Sequence, residues 1–366
     1  MSTTLIESGE SRPTGLSAWA GAGLAVALVV TLLLMATLNV VDRATWHAVD
    51  DGILWEDQSD GVTAVGIAEN DVISNDEVQV GDLLRAIDGT PVETTGDVVG
   101  ALHDGRLNVV RRYTLQRAGQ SQLLGVVVSP VAARPTQIYF VMVGIGVFGL
   151  LIGSALRLTR PEKPGTLHFF WLSVAFFGMF AFSFTERLDS IDWVFYWADA
   201  VSTLALGPML VHFSLNFPGI AGEQHKTGYF PVLVLYGLAG LLGTFHVVLL
   251  ASDAASAIFQ ERVDLFWRLQ FTVLGAHVFL GVGLMLSAIR RMSSVAARRQ
   301  LGWIVGGVVV GGLPSMLGYA LPRSLGFNPI PIELVVVPLG LVPLAFGAAI
   351  VGYRLRDVEV FVKRGL

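Results

Sequence analysis

Asp199 is the one carboxylate well inside an apolar stretch of this sequence, in "WADAVSTLALGPMLVHFSLNF". An acid surrounded by hydrocarbon is costly enough to turn toward a bundle interior or water, which makes Asp199 the best polar-site candidate in the chain. His212 and Asn216 lie one helical turn apart near the end of the same stretch, and His277 lies inside another, "FTVLGAHVFLGVGLML". Together these residues could line a polar cavity that binds a ligand or takes up a proton, because histidine titrates near neutral pH. Each could equally bond a neighbouring helix or reach an interface. His168 and His246 read as interfacial.

Other chemistries find little purchase. The chain has no cysteine, which removes disulfides, thiolate metal sites and cysteine nucleophiles together. No His-Glu-x-x-His string is present to hold zinc. A Gly-x-Ser nucleophile is not offered by "GLPS" either, since Pro314 precedes Ser315 and no histidine follows. "GIGVFG", residues 144–149, has the spacing of a nucleotide loop but lies inside an apolar run with no acidic ribose partner, so it reads as close helix packing. Gly302/Gly306 and Gly307/Gly311 read the same way, and Pro314, Pro338 and Pro343 are candidate kinks. No catalytic residue, metal ligand, cofactor or nucleic-acid partner is expected.

The elements that must position these groups are set by hydropathy. With a mean hydropathy of +0.63, 53% hydrophobic and 14% charged residues, the chain has to be read against a bilayer. About eight stretches reach the ~20 apolar residues a crossing needs: Leu16–Val41, Thr136–Leu156, Leu167–Thr185, Trp193–Phe217, Tyr229–Ala251, Leu269–Ile289, Leu301–Leu321 and Ile332–Gly352. The first is too long for a signal peptide and reads as a retained anchor. Arg157, Arg160, Lys163, Lys226, Arg290, Arg291, Arg298 and Arg299 fall in one set of connections, together with Arg354, Arg356, Lys363 and Arg364 near the end. The other set carries Arg187, Arg262, Arg268 and Arg323. The richer set is cytoplasmic, which places both termini inside and residues 42–135 outside. Trp193, Trp197, Trp267 and Tyr229 read as interfacial anchors.

Residues 42–135 have a different texture. "GVTAVGIA", "DLLRAIDG", "NVVRRYTLQRAG" and "QLLGVVVSPV" read as short strands, with "TTGDVVGALHDG" as a helix between the second and third. "DGTP" reads as a turn, and "QRAGQSQ" as a hairpin.

Within this segment, "VQVGDLLRAIDGTPVETTGDVVGAL" resembles a bacterial PDZ domain, the match resting on Gly81, Asp82, Ile87, Asp88, Gly89, Pro91 and Val92. The resemblance implies a groove between the second strand and the last helix where a peptide adds as an extra strand. The family's carboxylate-capturing loop aligns with "VDDGILW", making Asp50, Asp51, Gly52 and Ile53 ligand-binding candidates. Asp50 and Asp51 would repel an anionic terminus there.

The membrane segments carry a second likeness. "GPMLVHFSLNFPGI", "RRQLGWIVGGVVVGGLPSM" and the closing "VGYRLRDVEVFVKRGL" resemble successive signatures of the membrane input regions of bacterial sensor histidine kinases, among them the quorum-sensing kinases that detect a modified peptide pheromone. Some members insert a PDZ-like domain after the first membrane helix. The likeness implies that Tyr353, Arg354, Asp357 and Glu359 begin a transmission helix leading to a kinase module absent from this sequence, and that the chain forms a homodimer.

The expected architecture is a polytopic α-helical membrane protein with an inserted extracytoplasmic α+β PDZ-like domain. Its parts are a cytoplasmic N-terminus (1–15), a first crossing (16–41), the inserted domain (42–135), a seven-helix membrane sensor bundle (136–352) and a transmission helix start (353–366). The expected role is an input region in a bacterial cytoplasmic membrane that couples an extracytoplasmic peptide or other small signal to that output. A membrane-anchored PDZ scaffold with no kinase output is the alternative.

Overall fold

A computed structural model describes residues 15–45, 49–67, 78–102, 110–117, 119–127, 129–130, 136–161, 165–184, 190–220, 228–251, 258–327 and 329–351. The expected transmission stretch, with Tyr353, Arg354, Asp357 and Glu359, lies outside the described residues, as do Lys163, Lys226 and Arg187.

The first helix, α1 (Gly15–Thr45), is a run of Leu, Val and Ala uninterrupted by charge until Asp42 and Arg43. Strands follow: β1 (Val49–Asp50), β2 (Ile53–Gln58), β3 (Gly61–Ile67), β4 (Leu83–Ile87) and β5 (Thr90–Pro91). A short helix, α2 (Thr95–Leu102), precedes β6 (Val110–Arg117), β7 (Gln120–Val127) and β8 (Ser129–Pro130). Pairing is antiparallel throughout, in the order β2-β3-β4-β6-β7, with β5 on β4 and a separate β1–β8 pair. The "DGTP" turn takes two residues to positive φ, Asp88 at 50° and Gly89 at 84°. That is the two-residue turn whose twist suits a hairpin, and it is why Asp-Gly stands there. Gly119, at φ 82°, lies in the β6–β7 connection. The inward side chains Val62, Ala64, Leu84, Ile87, Tyr113 and Leu115 form one core with Val98 and Leu102 of α2.

Among the described residues seven helices are long and apolar enough to cross a membrane, which makes the chain a multi-pass helical membrane protein. They are α1, α3 (Thr136–Thr159), α5 (Ser190–Ile220), α6 (Tyr229–Ala251), α7 (Ile258–Arg291) and the segments Val295–Ser324 and Ile332–Ala349. The remaining expected crossing, Leu167–Thr185, is a shorter helix, α4 (Thr166–Ala181), whose 16 residues rise only about 24 Å against ~30 Å of hydrocarbon.

α4 is nevertheless packed along its whole length. Gly153 meets Phe169 and Ser173, Gly149 meets Phe176, and Gly146 meets Phe177 and Phe180, an antiparallel register that brings Tyr139 of α3 to Ala181. Close packing by "GIGVFG" is therefore real at Gly146 and Gly149, while Gly144 faces open space. Beyond Ala181 the chain becomes extended, and Asn39 of α1, fully buried, satisfies it. Its Nδ2 donates to the Ser183 carbonyl at 2.9 Å, and its Oδ1 accepts from the Ser183 N–H at 2.9 Å and from the Tyr139 hydroxyl at 2.9 Å. Non-helical backbone at such depth persists only where a protein group bonds it.

The second small-residue pair also divides. Gly307 and Gly311 press on Leu341, Ala345 and Pro338 of the last helix with no room for a side chain, whereas Gly302 and Gly306 face open space. The expected kink at Pro314 is a pair of π-helical stretches, Val308–Gly312 and Met316–Ala320, on either side of it. Opposite them the last helix tightens to a 3-10 turn at Val337–Gly340, around Pro338. Ser315 donates to the Val335 carbonyl, a packing role for the serine of "GLPS".

Candidate functional site

One polar grouping among the described residues of the membrane-spanning helices is a seam between α5, α6 and α7. Tyr196, on the first turns of α5, is buried, and its hydroxyl meets Nε2 of His246 on α6 at 2.5 Å. His246 is fully buried, not interfacial as the sequence suggests. Its neighbours Phe245, Val247 and Val248 all face outward, so at this level α6 turns a polar ring into the bundle from an apolar outer surface. Aromatic rings hold that ring in place: Phe266 of α7 stacks on it at 3.5 Å between centroids and Trp197 leans on it at 5.0 Å. Trp193 and Trp267 also pack edgewise against Tyr196, at 5.4 and 6.5 Å. These tryptophans, expected as anchors, are walls of the seam.

One turn further along α7, Gln270 is buried and its amide donates to the Ala200 carbonyl of α5 at 2.8 Å. Asp199 lies between the Tyr196 and Ala200 positions on α5 and is half-buried, with Thr203 one turn later donating to its Oδ1 at 3.2 Å. Asp199, which the sequence singles out, lies within the apolar helix α5. The sequence reading missed Tyr196, His246 and Gln270, because an aromatic, a histidine near a helix end and a glutamine are each ordinary in isolation. The available signal was the polarity of Gln270 within the apolar run of α7.

A second grouping lies at the opposite end of α5. His168 of α4 contacts the Met209 carbonyl through Nε2 at 2.9 Å and packs edge-on to His212, with 4.8 Å between ring centroids. His212 Nδ1 in turn meets the Tyr236 hydroxyl of α6 at 3.3 Å. The Asn216 side chain makes no hydrogen bond to another described residue. His277 is bonded back to the Val273 carbonyl of its own helix at 2.7 Å, with its ring against Gly207. The four candidates therefore do not line one cavity: Asp199 is bonded to Thr203 within α5 alongside the seam, His212 belongs to the second grouping, and His277 to the α5–α7 contact.

In the sheet domain, Asp51 is buried and satisfied from within. Its Oδ1 accepts from the Ile53 N–H at 3.0 Å, and its Oδ2 from the Trp55 indole at 2.9 Å and the Tyr113 hydroxyl at 2.7 Å. Gly52, at φ 71°, makes the bend that lets the carboxylate reach back. Asp50 contributes backbone to β1, paired with Ser129. β2 is one of the two edge strands of the larger sheet, and Asp57 on it accepts from both the N–H and the hydroxyl of Thr95 at the start of α2, at 2.7 and 3.0 Å.

Arginines of the domain pair with its own carboxylates. Arg117 grips Asp82 with both arms, at 2.6 and 2.5 Å. That guanidinium, assisted by the Gln79 N–H, holds the Asp82 carboxyl below its usual range. Asp88 is lowered by the Arg112 N–H and the Arg111 guanidinium, so the two arginines of β6 sit beside a counter-charge at the start of the Asp-Gly turn.

Among the described residues no group of three or more His, Asp or Glu side chains could hold a metal ion. No protein-family model and no curated protein matches the chain.

Proposed function

We propose that the chain is the signal-receiving membrane region of a sensor histidine kinase of the PDZ-containing, pheromone-receptor type. The observation that carries this reading is the polar seam of Tyr196, Asp199, His246 and Gln270. Ionisable and amide side chains are costly inside apolar helices, and a cluster of them across three helices is a natural place for binding or switching as well as for helix contact. The sheet domain inserted between α1 and α3 supports the reading, as does the family likeness of the closing segment.

In this reading α4 together with the extended residues 182–184 completes an eighth crossing, since its two ends lie beside opposite ends of α3. Eight crossings and the arginine-rich connections put both termini in the cytoplasm and the PDZ-like domain outside. The signal is an extracytoplasmic peptide or other small molecule. A peptide adds along the edge of β2 through backbone hydrogen bonds. It does not dock by a terminal carboxylate, because Asp51 already takes the Ile53 N–H. Signal binding favours one of two arrangements of the last helix in a homodimer and so biases an output kinase module, by as much as its affinities for the two differ.

Two measurements test this. The cysteine-free chain is a ready background for labelling, so Gln79→Cys and Val295→Cys are each exposed to a membrane-impermeant maleimide in intact cells. Labelling at 79 and protection at 295 is expected, and the same accessibility at both removes the topology. Joined to a family kinase module, the chain is then expected to change autophosphorylation when Asp199→Asn or His246→Gln is introduced. Indifference to both substitutions rejects the receptor role.

A further inference from the structure

Four arginines gather at one corner of the membrane helices. Helix α7 ends on Arg290 and Arg291, a short turn follows, and the next segment opens at Val295 and carries Arg298 and Arg299. All four are exposed, and among the described residues none has a carboxylate partner. The sequence offers none close by, since residues 265–332 contain no Asp or Glu. Ser294 caps the new helix by accepting from the Ala297 N–H, so the positive end of that helix's dipole lies at the same corner. Positive charge this concentrated and unopposed draws an anion from outside the chain.

Leading away from the corner, the two helices carry the same pattern. On α7, Arg290, Leu286, Gly283 and Phe279 are spaced four, three and four residues apart, and on the next segment Arg299, Trp303, Gly306 and Val310 repeat that spacing. Each set therefore shares one helical face. The large apolar side chains of both stripes face outward, Trp303 most of all at 65% exposure, and a Cβ at either glycine would meet nothing within 4 Å. The helices are antiparallel neighbours, because far from the corner Gly275 of α7 meets Met316 and Leu321. From arginine to last apolar residue each stripe rises about 16 Å, close to half of a ~30 Å hydrocarbon layer. One leaflet is spanned from headgroup to midplane.

We propose that this corner binds an anionic phospholipid, its phosphate on the guanidinium groups of Arg290, Arg291, Arg298 and Arg299 and its acyl chains along the two outward stripes. Charge and apolar surface are continuous on both helices, so one amphiphile satisfies both where a soluble anion satisfies only the first. Guanidinium suits the phosphate because its N–H groups donate in parallel pairs. Gly283 and Gly306 leave low points between larger side chains, where methylenes can lie against the helix. Trp303, one turn from Arg299, has the amphipathic ring that favours the depth of the headgroups. The inference goes beyond the receptor reading, because it needs these helices to cross a bilayer but requires neither a kinase output nor a particular leaflet.

The test uses the full chain in vesicles of dioleoyl phosphatidylcholine and dioleoyl phosphatidylglycerol, with one lipid or the other brominated on its acyl chains. Bromine quenches tryptophan on contact, and the difference between the parent and Trp303→Phe isolates the Trp303 signal. At equal fractions phosphatidylglycerol is expected to occupy that contact at least about fivefold more strongly than phosphatidylcholine, the advantage that one arginine confers on an anionic headgroup. The double substitutions Arg290→Gln/Arg291→Gln and Arg298→Gln/Arg299→Gln are each expected to reduce the preference. Arg323→Gln, which removes an exposed arginine at the other end of the same segment, is expected to leave it unchanged. Equal quenching by the two lipids in the parent overturns the proposal and leaves the arginines to an acidic protein segment. So does a preference that survives both double substitutions, or one that Arg323→Gln removes equally. Loss of the preference on adding sn-glycerol 3-phosphate assigns the corner to soluble phosphates and also overturns it. The parent comparison needs no arginine variant, so misfolding of a variant cannot shelter the proposal.

Discussion

Asn39 holds Ser183 by both of its backbone groups, donating to the carbonyl and accepting from the N–H, each at 2.9 Å. This reciprocal amide pair is what lets the chain leave α4 in an extended form. Asn39→Leu is expected to leave the Ser183 N–H and carbonyl unpaired and to destabilise the protein by about 2–4 kcal/mol. Asn39→Asp, which keeps only the acceptor, is expected to fail as well. Thermal unfolding in detergent, compared with the neighbouring exposed substitution Leu38→Ala, measures it.

The internal carboxylate of Asp51 gives a second prediction. Asp51→Ala removes the acceptor for Ile53, Trp55 and Tyr113 at once, and the loss is expected to cost about 3 kcal/mol. Hydrogen exchange should show β2 and β6 opening together, with the membrane helices unchanged. If β2 alone opens, the Tyr113 bond is not part of the same cooperative unit.

Acid should weaken the sheet domain through Asp82. Its folded pKa lies below the unfolded value, so the stability it contributes is present above the unfolded pKa, near 4, and is lost as pH falls through the lower folded value. Arg117→Met removes the principal cause of that depression. The variant is expected to be less stable than the parent at pH 7, with the gap closing as pH falls below about 4. A gap that is constant with pH would mean that Arg117 stabilises by packing and not by charge. Urea titrations of the domain signal across pH 3–7 decide between the two.

Neighbouring glycines of one helix should behave oppositely. A methyl group at Gly311 would meet the Pro338 carbonyl and Val342, whereas one at Gly306 meets nothing within 4 Å. Gly311→Ala is therefore expected to lower stability by about 1–3 kcal/mol, and Gly306→Ala to leave it unchanged or slightly raise it. Melting curves of the two variants side by side are sufficient. A cost at Gly306 would place a second copy of the chain against that face.

What was legible in the sequence follows from the range of the forces that leave a mark on it. Long apolar runs are summed over many residues, so α1, α3, α5, α6 and α7 could be placed from hydropathy alone, and Asp-Gly marked the β4–β5 turn at Asp88 and Gly89. α4 was overestimated because hydropathy continues through Phe182 and Phe184 although the helix does not. The signal that ends it, Asn39, lies on another helix and far away in the chain. The seam was half-read for the same reason. Asp199 stands out by charge, but Tyr196, His246 and Gln270 acquire meaning only from each other, across three helices that hydropathy treats as independent.

The paired π-helical stretches flanking Pro314 have one more consequence. Each wide turn accommodates about one surplus residue, and one residue advances an α-helix by about 100°. Excising a residue from either stretch would therefore let ordinary winding resume without spinning the rest of the rod. The same excision anywhere in Val295–Gly307 would turn everything beyond it by more than a quarter circle. The helix thus carries a reserve of angular slack, and a length polymorphism tolerated there but nowhere upstream would be its genetic signature.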